Sequence, residues 1–141
     1  MENIIESEYN EFKKYHKNQF NLSFHIVCGI LFMTFLLLSL DNYKNIGLII
    51  YAILLSYTIK DPVTLVFTIS ILYFFINVIF KSYNLSTVYS LILFLVFYLL
   101  PDLSHYLTNE KTVLTINNVT ILTGFVNIFY LLPFSLLCLV E

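Results

Sequence analysis

The chain has 141 residues, 59% of them hydrophobic and only 11% charged, with a net charge of −2. Soluble domains carry about 25% charged residues, so no soluble fold hides this much apolar surface, and the solvent is lipid. With no arginine, seven scattered lysines and two cysteines inside apolar runs (Cys28 and Cys138), the chain has neither a basic patch for nucleic acid nor a disulfide framework.

Residues 1–20 read as an amphipathic helix lying on the membrane surface. Ile5, Tyr9, Phe12 and His16 recur at spacings of 4, 3 and 4, which puts them on one face. Glu2, Glu6 and Glu8 come early and Lys13, Lys14 and Lys17 come late, the order a helix dipole favours. No small-residue cleavage site follows the first apolar run, so that run reads as a retained anchor.

Residues 21–141 read as the bundle itself. Its apolar runs are Leu22–Leu40, Ile46–Ile59, Val63–Phe80, Leu85–Leu100 and Ile121–Val140. Ile46–Ile59 is short for a bilayer. Pro101-Asp102 is expected to stop the fourth run, leaving a polar interval, "DLSHYLTNEKTVLTINN", before the fifth. Pro133 is expected to kink the last run. Backbone groups in lipid must bond internally, and no alternating strand pattern occurs. The expected class is all-α: a polytopic membrane helical bundle of four or five apolar helices plus the N-terminal amphipathic helix, forming one integral membrane domain over residues 1–141. The sequons at Asn21, Asn84 and Asn118 read as chance matches in an Asn-rich chain.

The three histidines carry the chemical question. His16 and His25 are nine residues apart, which on one unbroken helix sets them on opposite faces. They meet only if the helix breaks in "KNQFN", with Asn18 ending one helix and Asn21 capping the next. Lys13, Lys14 and Lys17 put the start of the first span on the cytosolic side. Four crossings through Leu100 then return His105 to that face. Asp102 precedes His105 by three residues, the spacing of one helical face, and is placed to take the second ring N–H of His105. Glu110 follows five residues later. Three imidazoles and one or two carboxylates at one membrane face form a divalent-metal constellation suited to Fe, Zn, Cu or Ni. The bland alternative is a set of interfacial polar anchors. Lys17 reads as a solvated charge.

"YHKNQFNLSFHIVCG" also resembles the opening signature of the Mpo-type membrane family, which includes the fungal 2-hydroxy fatty acid dioxygenase. That signature is a Tyr-His pair, an Asn five residues after the His and a second His four beyond it, here Tyr15, His16, Asn21 and His25. "SHYLTNEKTVL" is similar to the family's second signature through His105 and Glu110. The chain departs from the family's pattern in having no Pro shortly after Gly29. The resemblance implies an Fe2+-dependent oxygenase (Zn2+ being the other candidate ion) of the endoplasmic reticulum membrane, with its histidine face cytosolic. It would shorten a long-chain 2-hydroxy fatty acid by one carbon in sphingoid-base degradation. His16, His25 and His105 would be ligands, Glu110 a ligand or an orienting group, and Asn21 a cap or supporting group. The alternative function is a non-enzymatic helical membrane scaffold or lipid-binding protein.

Overall fold

Each helix boundary in this chain has a local cause. The computed structural model describes residues 2–111 and 121–140, and their regular structure is entirely helical. Helix α1 (Glu2–Tyr15) stops three residues before Asn18, which caps α2 (Gln19–Leu38) with its side chain accepting from the Phe20 N–H at 2.8 Å. The break therefore lies over His16–Asn18, and the cap is Asn18 where the sequence reading favoured Asn21. Asn21 instead sits in the first turn of α2, fully buried. Its sequon is closed to any modifying enzyme, and the sequon at Asn118 lies outside the described residues.

After a 3-10 turn at Asp41–Tyr43 come α3 (Lys44–Ser56) and α4 (Pro62–Phe74), the latter finishing in a π turn over Phe75–Ile79. Asp61 caps α4 by accepting from the Thr64 N–H at 2.7 Å, with Pro62 in the first turn where a missing N–H costs nothing. Helix α5 (Thr87–Thr108) is followed by α6 (Ile121–Val140). Among the described residues four helices are long and apolar enough to cross a membrane, over Gln19–Leu38, Pro62–Ile79, Thr87–Thr108 and Thr123–Val140.

Helices α2 and α5 run antiparallel: His25 near the start of one meets His105 near the end of the other, and Phe32 meets Phe94. The chain between them must therefore go back and forth once, through α3 and α4. The Asn77 amide bonds Asn45 at 3.1 Å, tying the end of α4 to the start of α3 at the far end of the bundle. By this path the chain returns to the histidine end with α5.

Two prolines lie inside helices, and the first departs from the sequence reading. Pro101 does not end α5; the helix runs through it to Thr108, so Asp102 and His105 are helical and not part of a loop. Prolines are tolerated within membrane helices when neighbours hold the flanking turns, and here Ser104 and His105 are buried against α2. Pro133 also lies within a continuous helix. Its missing N–H frees the carbonyl four residues back, that of Phe129. The Tyr51 hydroxyl of α3 donates to that oxygen at 2.7 Å. One turn away, Leu132 packs on Gly29 of α2 so closely that a Cβ there would lie 3.1 Å from the Leu132 Cβ. Small residues let membrane helices approach in this way.

The Tyr51 bond makes a prediction. Tyr51→Phe leaves the Phe129 carbonyl unpaired in an apolar interior and should cost about 1–3 kcal/mol, read as a lower unfolding midpoint in detergent. An unchanged midpoint would mean that the proline is accommodated without α3.

Candidate metal centre

His16 opens the break between α1 and α2, and His25 lies beyond it in α2. His16 follows the last turn of α1, where carbonyls lack helical donors. Its Nδ1–H donates to the Phe12 carbonyl at 2.6 Å, while the Phe12 ring stacks on the imidazole at 3.7 Å between centroids. His25 repeats the pattern one helix later, with Nδ1–H donating to the Asn21 carbonyl at 2.9 Å. A carbonyl oxygen only accepts, so both neutral rings carry their proton on Nδ1 and present a bare lone pair at Nε2. Those two Nε2 atoms face each other at 3.1 Å.

Two acceptors at that distance repel unless a proton or a cation lies between them. A proton fits poorly, because burial, chiefly, with His105 adding repulsion, pushes His16 down from 6.5 to about 4 despite the bond to Phe12. A metal ion fits well. At about 2.0–2.1 Å per bond, two nitrogens 3.1 Å apart subtend roughly 100° at a shared ion, between octahedral and tetrahedral angles. His105 supplies the third ring. The three imidazoles stand 4.4, 4.5 and 4.9 Å apart between centroids and nearly perpendicular to one another. One donor atom from each lies within 4.8 Å of the others. All three are buried, at 7%, 3% and 2% exposure. Rings that merely anchor a helix at an interface reach toward water and headgroups; these do not.

The carboxylates fall elsewhere. Helix α5 ends at Asn109, in the left-handed conformation (φ 56°) that Asn tolerates better than most residues, and the Glu110 N–H closes the turn on the His105 carbonyl at 3.0 Å. This turn aims Glu110 back at the α1–α2 break. One carboxylate oxygen accepts from the backbone N–H groups of Lys17 and Asn18 at 2.9 and 3.0 Å, and the other from the Asn21 amide at 2.6 Å and Thr108 at 3.3 Å. Burial alone would raise this carboxyl, but the bonds from Asn21, Asn18, Lys17 and Thr108 outweigh it and hold Glu110 below the ordinary value. With its oxygens so engaged, Glu110 stands outside the three-imidazole donor set and acts as a clasp.

Asp102 is half-buried beside Tyr98 and makes no hydrogen bond to His105. The place expected for it is taken by Asn21. The Asn21 amide nitrogen donates to Glu110 and lies 3.2 Å from His105 Nδ1. Its amide oxygen accepts from Ser104, a hydroxyl shared with the Pro101 carbonyl. A carboxylate only accepts, so the amide nitrogen must face Glu110, and in the metal-free protein His105 Nδ1 accepts from it with the ring proton on Nε2; to offer Nε2 to an ion, His105 takes the other tautomer and gives up that bond.

Sequence reasoning missed Phe12 as a shelf for two rings, Ser104 as a partner of Asn21, and the free amides at Lys17 and Asn18 as the seat of Glu110. The spacing of Phe12 four residues before His16, and an Asn-Glu pair after a helix-ending histidine, were the available signals.

Burial of a neutral His16 has a consequence for stability. The unfolded chain binds a proton near 6.5, whereas the folded chain resists it until about 4. Between those values the unfolded state holds more protons, so stability falls as pH falls. The metal-free protein should lose about 3 kcal/mol between pH 7 and pH 4 through this group. Unfolding in detergent followed across that range checks it, and a flat profile would mean that His16 is solvated.

The molecule is thus an all-α helical bundle with four membrane-capable helices and a buried three-histidine group able to hold a metal ion. No protein-family model, curated protein or solved structure matches the chain.

Proposed function

We propose that the protein is a membrane-bound, Fe2+-dependent dioxygenase that shortens long-chain 2-hydroxy fatty acids by one carbon. The observation that carries the metal part is the pair of Nε2 lone pairs facing each other at 3.1 Å with a third imidazole beside them. The resemblance of Tyr15, His16, Asn21 and His25 to the Mpo-type signature supports the choice of iron and substrate, and with it a place in the endoplasmic reticulum with the histidine end cytosolic.

The donor set suits the role. Three nitrogen ligands would leave room for substrate and O2, as in catalytic rather than structural sites. Bound iron would supply the activation of O2. The reaction balances with one O2 per 2-hydroxy acid, giving the shorter acid, CO2 and water. The protein's residues do the rest. Phe12 and the Phe12 and Asn21 carbonyls fix the planes and tautomers of His16 and His25. Asn21 and Glu110 hold His105 to the α1–α2 break. The surrounding helices offer the acyl chain an apolar medium while the reacting end stays at the bundle's polar end.

The test is purified protein loaded anaerobically with Fe2+. It should consume O2 with a 2-hydroxy fatty acid and yield the acid one carbon shorter, stop on chelation and resume on addition of Fe2+. Stoichiometric metal uptake without turnover at any chain length would favour a scaffold or lipid-binding protein with a structural ion.

A further inference from the structure

The metal centre has one neighbour that the proposed chemistry leaves unused. A cleft of about 530 Å³ lies against His16, lined by Asn10, Lys13, Lys14, His16, Lys17 and Cys138. Asn10, Lys13, Lys14 and Lys17 follow the spacing i, i+3, i+4, i+7 of a single helical stripe, continued past the end of α1. This stripe is distinct from the buried one of Ile5, Tyr9, Phe12 and His16, which docks α1 on Phe134 of α6.

The local charge is unusual for this chain. The whole protein is net negative and has seven lysines, yet three of them meet at this cleft, and among the described residues no carboxylate lines it. Lys14 leans on Glu11 at 3.8 Å, a solvent-exposed pair of the kind that contributes little. Among the described residues nothing pairs with the Lys17 ammonium group. Glu110 is close in the chain's fold but is held by the Lys17 backbone N–H and not by its side chain. The cleft is therefore a cationic recess whose inner wall is a candidate metal ligand and whose edge is Cys138, near the end of a membrane-capable helix.

We propose that this cleft seats the oxyanion head group of an amphiphile, carboxylate or phosphate, beside His16, with its chain leaving past Cys138 along α6. The inference rests on the metal-centre reading for its purpose, since it would bring the polar end of a lipid to the ion. Its chemistry stands on the lysines alone. Ammonium groups attract an oxyanion as point charges without imposing a fixed geometry, so the cleft selects charge and sets affinity, leaving orientation to the histidine side. Lys13, Lys14 and Lys17 are positioning residues in this scheme.

The test uses the full chain in neutral detergent. A fluorescent long-chain fatty acid is displaced by dodecyl phosphate, by dodecanol and by inorganic phosphate. The triple variant Lys13→Gln, Lys14→Gln, Lys17→Gln should weaken dodecyl phosphate about tenfold and leave dodecanol unchanged, and the triple arginine variant should stay within about twofold of the parent. Co2+ stoichiometry and the Co2+ absorption spectrum should be the same in all three proteins, a readout that misfolding would move. Displacement by dodecyl phosphate but not by inorganic phosphate assigns the cleft to a lipid head group. Equal displacement by the two overturns the amphiphile, and unchanged dodecyl phosphate affinity in the glutamine variant overturns the cleft. If the parent protein takes up no Co2+ while lysine-dependent binding persists, the metal reading fails and the cleft stands.

Discussion

His25→Ala should abolish ion binding and, with it, O2 consumption. His25 sits at the centre of the constellation: its Nε2 faces His16 Nε2 at 3.1 Å, and its ring stands 4.9 Å from that of His105. Removing it leaves two imidazoles, one at the α1–α2 break and one on α5. Two monodentate nitrogens hold a divalent ion far more weakly than three, and the loss should exceed 100-fold, beyond the roughly 10–100-fold cost of losing a supporting group. His16→Ala should behave alike. Neither variant should be strongly unstable without metal, since each relieves a lone-pair repulsion while opening a small cavity. Metal content after purification and Co2+ titration measure the effect directly. Parental metal content in both variants would reduce the three rings to polar packing.

Much of this architecture was open to inference from the residues because lipid narrows the choices. A chain with so few charges must satisfy its backbone internally, so apolar runs of this length become helices. The break between His16 and His25 was legible as a condition, because nine residues on one helix point the rings apart, and the asparagines of "KNQFN" marked where it could fall. The errors came where the side chain that satisfies a group lies far away in sequence. Pro101 looked like a stop, but packing of Ser104 and His105 against α2 carries α5 onward for seven residues past it. At Pro133 the unforeseen part is the partner: Tyr51, 78 residues distant from Phe129, satisfies the carbonyl the proline frees. Asn21 looked like a cap because Asn caps helices well; burial at 0% exposure made it a hub. Asp102 had the right local spacing to serve His105, yet nothing local revealed that an amide 84 residues away from that histidine holds the position.

The contrast between Asn21 and Asp102 gives the second large effect. Asn21→Leu is close in volume and keeps the helix, but it removes the amide that joins Glu110, Ser104 and His105. The ionised Glu110 would keep its two backbone donors and lose its shortest partner, at 2.6 Å. Losing that bond to a part-buried carboxylate, and leaving the buried Ser104 without its amide partner, should cost about 1–3 kcal/mol. His105 would lose the group that fixes its ring, and ion affinity should fall about 10–100-fold. Asn21→Asp should be no milder, since it sets a second carboxylate against Glu110. Asp102→Asn, by contrast, touches no bond to the cluster, and ion affinity should stay within about threefold of the parent. Co2+ titration and unfolding in detergent, run on the same preparations, separate the two contributions. Were Asp102→Asn to cost as much as Asn21→Leu, the aspartate would be the true support of His105, and the Asn21–Glu110 clasp would be only a helix-end contact.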